Sequence, residues 1–196
     1  MINRLAIIGI GLISGSLSLA LKKAGQVKHV VGYARSEATR EQALSLGIID
    51  AAAASIEAAV AEADVILLAV PMGAMASVLA EMAPHLTDNM IITDAGSTKA
   101  DMAKVASDIL GSRISQFVPG HPIAGTEKSG PSAAFATLYQ DHKVILTPME
   151  QTNAAAVETI KVMWQQTGAE VTEMTVEHHD LVLAATSHLP HLLSFN

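Results

Sequence analysis

Three stretches of this 196-residue chain hold residue types able to do chemistry. In Gly120-His-Pro-Ile-Ala-Gly-Thr-Glu-Lys128, one imidazole, His121, stands between a glycine and a proline. Its constrained neighbours limit the direction of the ring, and a histidine so placed takes up a proton near neutral pH. A satisfied structural histidine is the competing reading. In Asp94-Ala-Gly-Ser-Thr-Lys99, a carboxylate, a hydroxyl and an amine follow one another closely, but alone the stretch reads as a helix cap with an exposed lysine. Ser187-His-Leu-Pro-His191 sets two histidines three residues apart. Pro190 disturbs that geometry and no neighbouring carboxylate completes a set, so no metal is assigned.

These groups need a scaffold, and Leu5-Ala-Ile-Ile-Gly-Ile-Gly-Leu-Ile-Ser-Gly-Ser16 supplies its first piece. An apolar run too short to span a membrane meets two glycines, and an amphipathic pattern follows to about residue 23. That is the strand–turn–helix order of a dinucleotide site. Gly9 allows the tight turn, Gly11 lets backbone approach a pyrophosphate, and the first helical residues, Leu12, Ile13 and Ser14, present amides at a positive dipole end. The usual spacing asks for a third glycine at 14. Ser14 stands there, with Gly15 one step late, so the helix is expected to sit slightly loose or shifted. The same apolar run, flanked by Asn3-Arg4 and Ser18-Leu19-Ala20, has the outline of a signal peptide. Glycines spaced for a turn, and a second strand–helix unit directly after Gly25, weigh against that.

Strand and helix patterns then alternate. Strands are expected over residues 29–34, 48–50, 63–70, 90–94 and 114–118, with helices between them capped by signals such as Ser36. Residues 119–131 read as a Gly- and Pro-rich loop; 143–147 and 170–174 as further strands; 153–167 as a helix. From about residue 176 a long helix begins. The fold class is α/β, a doubly wound, mostly parallel Rossmann-type sheet over residues 1–174. Residues 175–196 read as the first helix of a second, all-helical domain whose remainder lies beyond Asn196.

Composition narrows the function. Net charge is −7, with three Phe, two Tyr and one Trp, the reverse of a nucleic-acid surface. With no cysteine, disulfides, thiolate metal sites and thiol nucleophiles are excluded. Ligands of an open parallel sheet bind beyond the carboxyl ends of its strands, and the polar residues gather at those ends. Besides the glycine turn, they include Ala34-Arg35-Ser36 and Val70-Pro71, all assigned to the cofactor. An acid after the second strand would accept from a ribose hydroxyl; here Arg35 follows Ala34, which favours the 2′-phosphate of NADP. Alternatively Arg35 lies beside the adenine and Glu37 partly replaces the acid, so NAD and NADP both stand.

Together the glycine turn, Asp94-Ala-Gly-Ser-Thr-Lys99, the Gly-His-Pro segment through Gly130 and Ser187-His-Leu-Pro-His191 resemble the prephenate and arogenate (cyclohexadienyl) dehydrogenases. The resemblance implies oxidation of a 4-hydroxycyclohexadienyl acid by NAD or NADP with loss of carbon dioxide, a step of tyrosine formation. It implies that His121 accepts the ring hydroxyl proton, that Ser97 orients that hydroxyl or the histidine, and that Lys99 is a cation of the site. Thr126 and Glu127 fall on a substrate-facing loop and His188 on a helix covering the substrate. The resemblance further implies a cytoplasmic homodimer built through the helical domain, with an arginine for the substrate carboxylate beyond Asn196. Another two-domain reductase, such as a β-hydroxyacid dehydrogenase, and a non-catalytic dinucleotide-binding module are the rival readings.

Overall fold

The apolar run at the start of the chain forms strand β1 (Ile2–Ile8), whose Leu5, Ala6, Ile7 and Ile8 are wholly buried. The computed structural model describes residues 1–184. In chain order there follow α1 (Leu12–Lys23), β2 (Val27–Tyr33), α2 (Glu37–Ser45), β3 (Ala51–Ala52), α3 (Ile56–Val60), β4 (Val65–Leu68) and α4 (Met72–Met82). Next come β5 (Ile91–Asp94), α5 (Ala100–Leu110), β6 (Phe117–Val118) and β7 (Gly120–Ile123). The last elements are β8 (Lys143–Leu146), α6 (Ala154–Gln165), β9 (Glu170–Glu173) and α7 (Val176–Leu183). Strands β3-β2-β1-β4-β5-β6 form one parallel sheet, which reverses direction of winding between β1 and β4. Ligand sites of such sheets lie at that reversal.

Alternate residues of β1 feed two cores. Leu5 and Ile7 pack with Leu17 and Leu21 of α1 and with Ile160 and Trp164 of α6. Ala6 and Ile8 pack with Ile56, Met75, Leu79 and Phe117 on the other face. Buried on both faces, the strands read as nearly continuous apolar runs, as parallel strands must.

Three expectations change. The third strand lies at Ala51–Ala52, not at residues 48–50, because Ile48 and Ile49 turn into the core and Asp50 Oδ2 accepts the Val30 amide at 2.7 Å. Residues 111–116 coil as a 3-10 turn after Gly111, leaving only Phe117 and Val118 as strand. The supposed loop around His121 contains β7, which pairs antiparallel with β8; β8 pairs parallel with β9, so these strands make a second, three-stranded sheet. Pro122 is compatible with this because β7 is an edge strand, where a missing N–H is tolerated.

The turn from β1 into α1 shows why its glycines stand where they do. Gly9 has φ +94°, and a Cβ there would lie 2.6 Å from the Ala69 carbonyl oxygen. Ser14 is wholly buried; its hydroxyl donates to the Gly9 carbonyl (2.7 Å) and accepts the Gly11 amide (3.1 Å). The close approach expected at 14 occurs at Gly15, where a Cβ would meet Ala134 Cβ at 2.8 Å. Ser14 therefore ties the turn to the helix instead of loosening it. Beyond it, the Tyr139 hydroxyl donates to the Ile13 carbonyl (2.5 Å), and the Phe135 amide donates to Ser16 Oγ (3.1 Å). The segment before β8 thus holds down the first turns of α1. Gly9→Ala combines a left-handed backbone with a backbone clash and is expected to destabilise the fold by roughly 2–4 kcal/mol. Denaturant unfolding at unchanged slope measures it, and a midpoint equal to the parent's would refute the strain argument.

Candidate active site

Strands β2, β1, β4 and β5 are parallel neighbours, so the segments leaving them share one edge of the sheet. A cleft of about 770 Å³ opens there, lined among others by Gly9, Gly11, Arg35, Ser36, Val70 and Pro71. Among the described residues nothing lies within 4 Å of the position a Gly11 Cβ would take, so the N-terminus of α1 is open toward the cleft. The amides of Leu12 and Ile13 have no intrahelical acceptor by the geometry of a first turn. A phosphate group fits this place, held by backbone N–H groups and the helix dipole. Leu12 is itself buried and Ile13 half-buried, so each serves through its backbone. Arg35 and Ser36 are exposed at the cleft, and Ser36 caps α2 by accepting the Thr39 amide (3.4 Å). Arg40 of α2 reaches back and donates to the Ala34 carbonyl (2.5 Å). It stiffens the loop that carries Arg35.

Next along the edge stands a second cluster. Asp94, the last residue of β5, and Lys99 are wholly buried and paired at 2.5 Å. Asp94 Oδ2 also accepts the Gly96 amide (2.8 Å) and Oδ1 the Gly120 amide (3.1 Å). Lys99 Nζ donates in turn to the Gly120 carbonyl (2.7 Å). The first residue of β7 is thereby gripped from both sides, and His121 follows it. The lysine expected to be exposed in a helix cap is thus a buried one: the Lys99 amine faces Asp94 and Gly120. Burying two charges is tolerable only because each finds several partners.

His121, half-buried, sits opposite Ile145 of β8 and places Nδ1 2.9 Å from Nε2 of His179. The two rings are tilted by 60° with centroids 5.1 Å apart. His179, wholly buried at the start of α7, holds its Nδ1 2.7 Å from Asp180 Oδ1. Asp180 accepts the Lys99 amide at Oδ1 (3.0 Å) and the Ala100 amide at Oδ2 (2.9 Å), so it caps α5 from a different helix. Burial pushes the Asp180 carboxyl up, but these two amides, and then His179, outweigh it and hold the carboxyl below its usual value.

Sequence reasoning missed His179, Asp180 and the structural part of Asp94. The only signal was three polar residues, His178-His179-Asp180, at a helix start, a common arrangement. Ser97 is exposed on the loop that joins Asp94 to Lys99. Thr126 and Glu127 are exposed beyond β7, where Thr126 Oγ1 accepts the Lys128 amide (3.2 Å). His188 and the Ser187–His191 motif lie outside the described residues. Among the described residues no three His, Asp or Glu side chains gather as a metal site, and no helix is long and apolar enough to cross a membrane.

The family model described as prephenate dehydrogenase, nucleotide-binding domain, matches residues 17–173. The cyclohexadienyl dehydrogenase of Zymomonas mobilis is 46% identical over 193 residues, which cover 98% of this chain and 65% of that protein. The prephenate dehydrogenase of Bacillus subtilis is 40% identical over 187 residues, covering 95% of this chain and 50% of that one. The crystal structure of prephenate dehydrogenase from A. aeolicus, in complex with hydroxyphenyl propionate and NAD+, superposes with a TM-score of 0.92 at 34% identity. That match covers 100% of this chain and 68% of the other. The chain thus spans half to two thirds of the length of these curated relatives.

Lys99→Met leaves Asp94 buried and unpaired, and is expected to destabilise by about 3–5 kcal/mol. Adding Asp94→Asn should recover much of that loss. A double variant no more stable than Lys99→Met would show that the pair is not what the single substitution disturbs.

Proposed function

The chain belongs to the prephenate dehydrogenase family, and on that premise we propose that it oxidises prephenate, arogenate or both, with His121 as the proton acceptor. The observation that carries the reading is the placement of His121 beside Gly120, which is clamped by Asp94 and Lys99 at the sheet edge that also bears the Gly9–Gly11 turn. Bound NAD(P)+ would supply the hydride acceptor. Its pyrophosphate would rest at the amides of Leu12 and Ile13, and its adenosine end in the cleft bordered by Arg35, Ser36, Val70 and Pro71.

The chain's own part in the reaction is small and positional. His121 takes the proton of the ring hydroxyl as the hydride leaves the carbon that bears it. The C–O bond then becomes a carbonyl, the ring carboxylate departs as carbon dioxide, and its bonding electrons complete the aromatic ring. One oriented base and a hydride acceptor suffice for this balance. Ser97, on the loop between Asp94 and Lys99, orients the substrate hydroxyl or the histidine. Thr126 and Glu127 border the substrate from beyond β7, and His188 covers it. With Lys99 turned inward, the exposed Lys128 and residues outside 1–184 must meet the substrate's carboxylates. Assembly as a homodimer is part of the same reading.

Of the two nucleotides, NADP is favoured by Arg35, exposed at the cleft with its loop braced by Arg40. In the full natural chain, prephenate and arogenate are supplied separately with NAD and with NADP, and absorbance of the reduced nicotinamide is followed. At least one pairing is expected to turn over; none doing so would overturn the reading. His121→Asn should lower turnover by about 10²–10⁴-fold with nucleotide affinity kept. Arg35→Ala should weaken NADP selectively, whereas equal losses for both nucleotides would remove the phosphate contact.

A further inference from the structure

We infer that Asp180, acting through His179, sets the tautomer of His121, with hydrogen on Nδ1 and the proton-accepting lone pair on Nε2. The inference rests on the reading of His121 as proton acceptor, and it makes His179 and Asp180 positioning residues for that reaction.

The assignment follows from counting donors. Asp180 is ionised under ordinary conditions and already accepts the Lys99 and Ala100 amides, so at its 2.7 Å contact with His179 it can only accept. The hydrogen of that contact therefore belongs to Nδ1 of His179. In a neutral imidazole the other nitrogen then carries a lone pair, and Nε2 of His179 is an acceptor. The 2.9 Å contact between the two rings still needs a hydrogen, and Nδ1 of His121 has to supply it. In neutral His121 this leaves the lone pair on Nε2. The tilt of 60° between the rings suits an edge-to-edge hydrogen bond better than a stack.

The same chain stabilises the product of proton uptake. Once Nε2 is protonated, the charge on His121 is shared through Nδ1–H with His179, and the anion at the end of that chain is Asp180. His179 is wholly buried, so solvent does not compete for either of its nitrogens. Asp180 in turn is fixed by the N-terminus of α5, a helix that begins directly after Lys99. The polarity of the chain, from carboxylate to base, is thus anchored in backbone rather than in a mobile side chain.

The test combines imidazole nitrogen chemical shifts with kinetics, in the full natural chain. At a pH where its ring is neutral, His121 of the parent is expected to carry hydrogen on Nδ1. Asp180→Ala removes the Oδ1 that meets both the Lys99 amide and His179 Nδ1, so nothing on that side fixes which nitrogen of His179 carries hydrogen. The Nε2-protonated form of His121 should then appear beside the parent form, and kcat should fall about 10–10²-fold with KM and nucleotide affinity unchanged. His179→Gln still offers an acceptor to His121 and a donor to Asp180, and should keep the parent tautomer and most of the turnover; His179→Leu should keep neither. A parent His121 protonated on Nε2, or an Asp180→Ala protein with the parent's nitrogen shifts, would overturn the proposal. A parent that oxidises neither substrate ends the functional reading, while the nitrogen shifts still decide this one.

Discussion

The ion pair between Asp94 and Lys99 lies where water cannot reach it, and in that setting two charges are stable only when further hydrogen bonds supplement their mutual contact. The chain meets this demand with backbone: the Gly96 amide, and both the amide and the carbonyl of Gly120. Because Gly120 opens β7, the pair joins the six-stranded sheet to the three-stranded one at a fixed point. His121 is the next residue. The location of His121 is therefore a consequence of an electrostatic requirement met two strands away from the glycine turn.

Two helix N-termini on the same sheet edge are put to opposite uses. That of α1 is opened: Ser14 folds its hydroxyl back onto Gly9 and Gly11, and among the described residues nothing lies within 4 Å of where a Gly11 Cβ would stand. A helix end kept clear in this way is a place for an exogenous anion. That of α5 is closed: Asp180 occupies it with both carboxylate oxygens and turns the resulting fixed anion toward His179. One dipole is reserved for a ligand, and the other orders an imidazole pair.

Much of the fold was legible because its signals are local. The order of β1, β2, β4 and β5 follows from apolar runs broken by helices. Gly9 follows from a turn no other residue can make, and the cap at Ser36 from a side chain that reaches its own next amides. His121 was legible as a constrained imidazole and the edge Ala34-Arg35-Ser36 as a cleft wall. Less local features were misread. β7 looked like a loop because Gly, His and Pro have poor strand propensity, and only its partner β8, more than twenty residues away, makes it a strand.

What the sequence determined by itself was thus the doubly wound sheet, the dinucleotide turn and the constrained imidazole at 121, all set by patterns within a few residues of one another. Tertiary structure alone decided what surrounds that imidazole. Lys99 looked like an exposed cation until β7 closed over it, and Asp180 reaches the first turn of α5 across eighty residues of chain. Hydrogen bonds across such separations depend on how helices and sheets pack, and no periodicity or cap signal in the chain encodes which distant donor a buried carboxylate will meet.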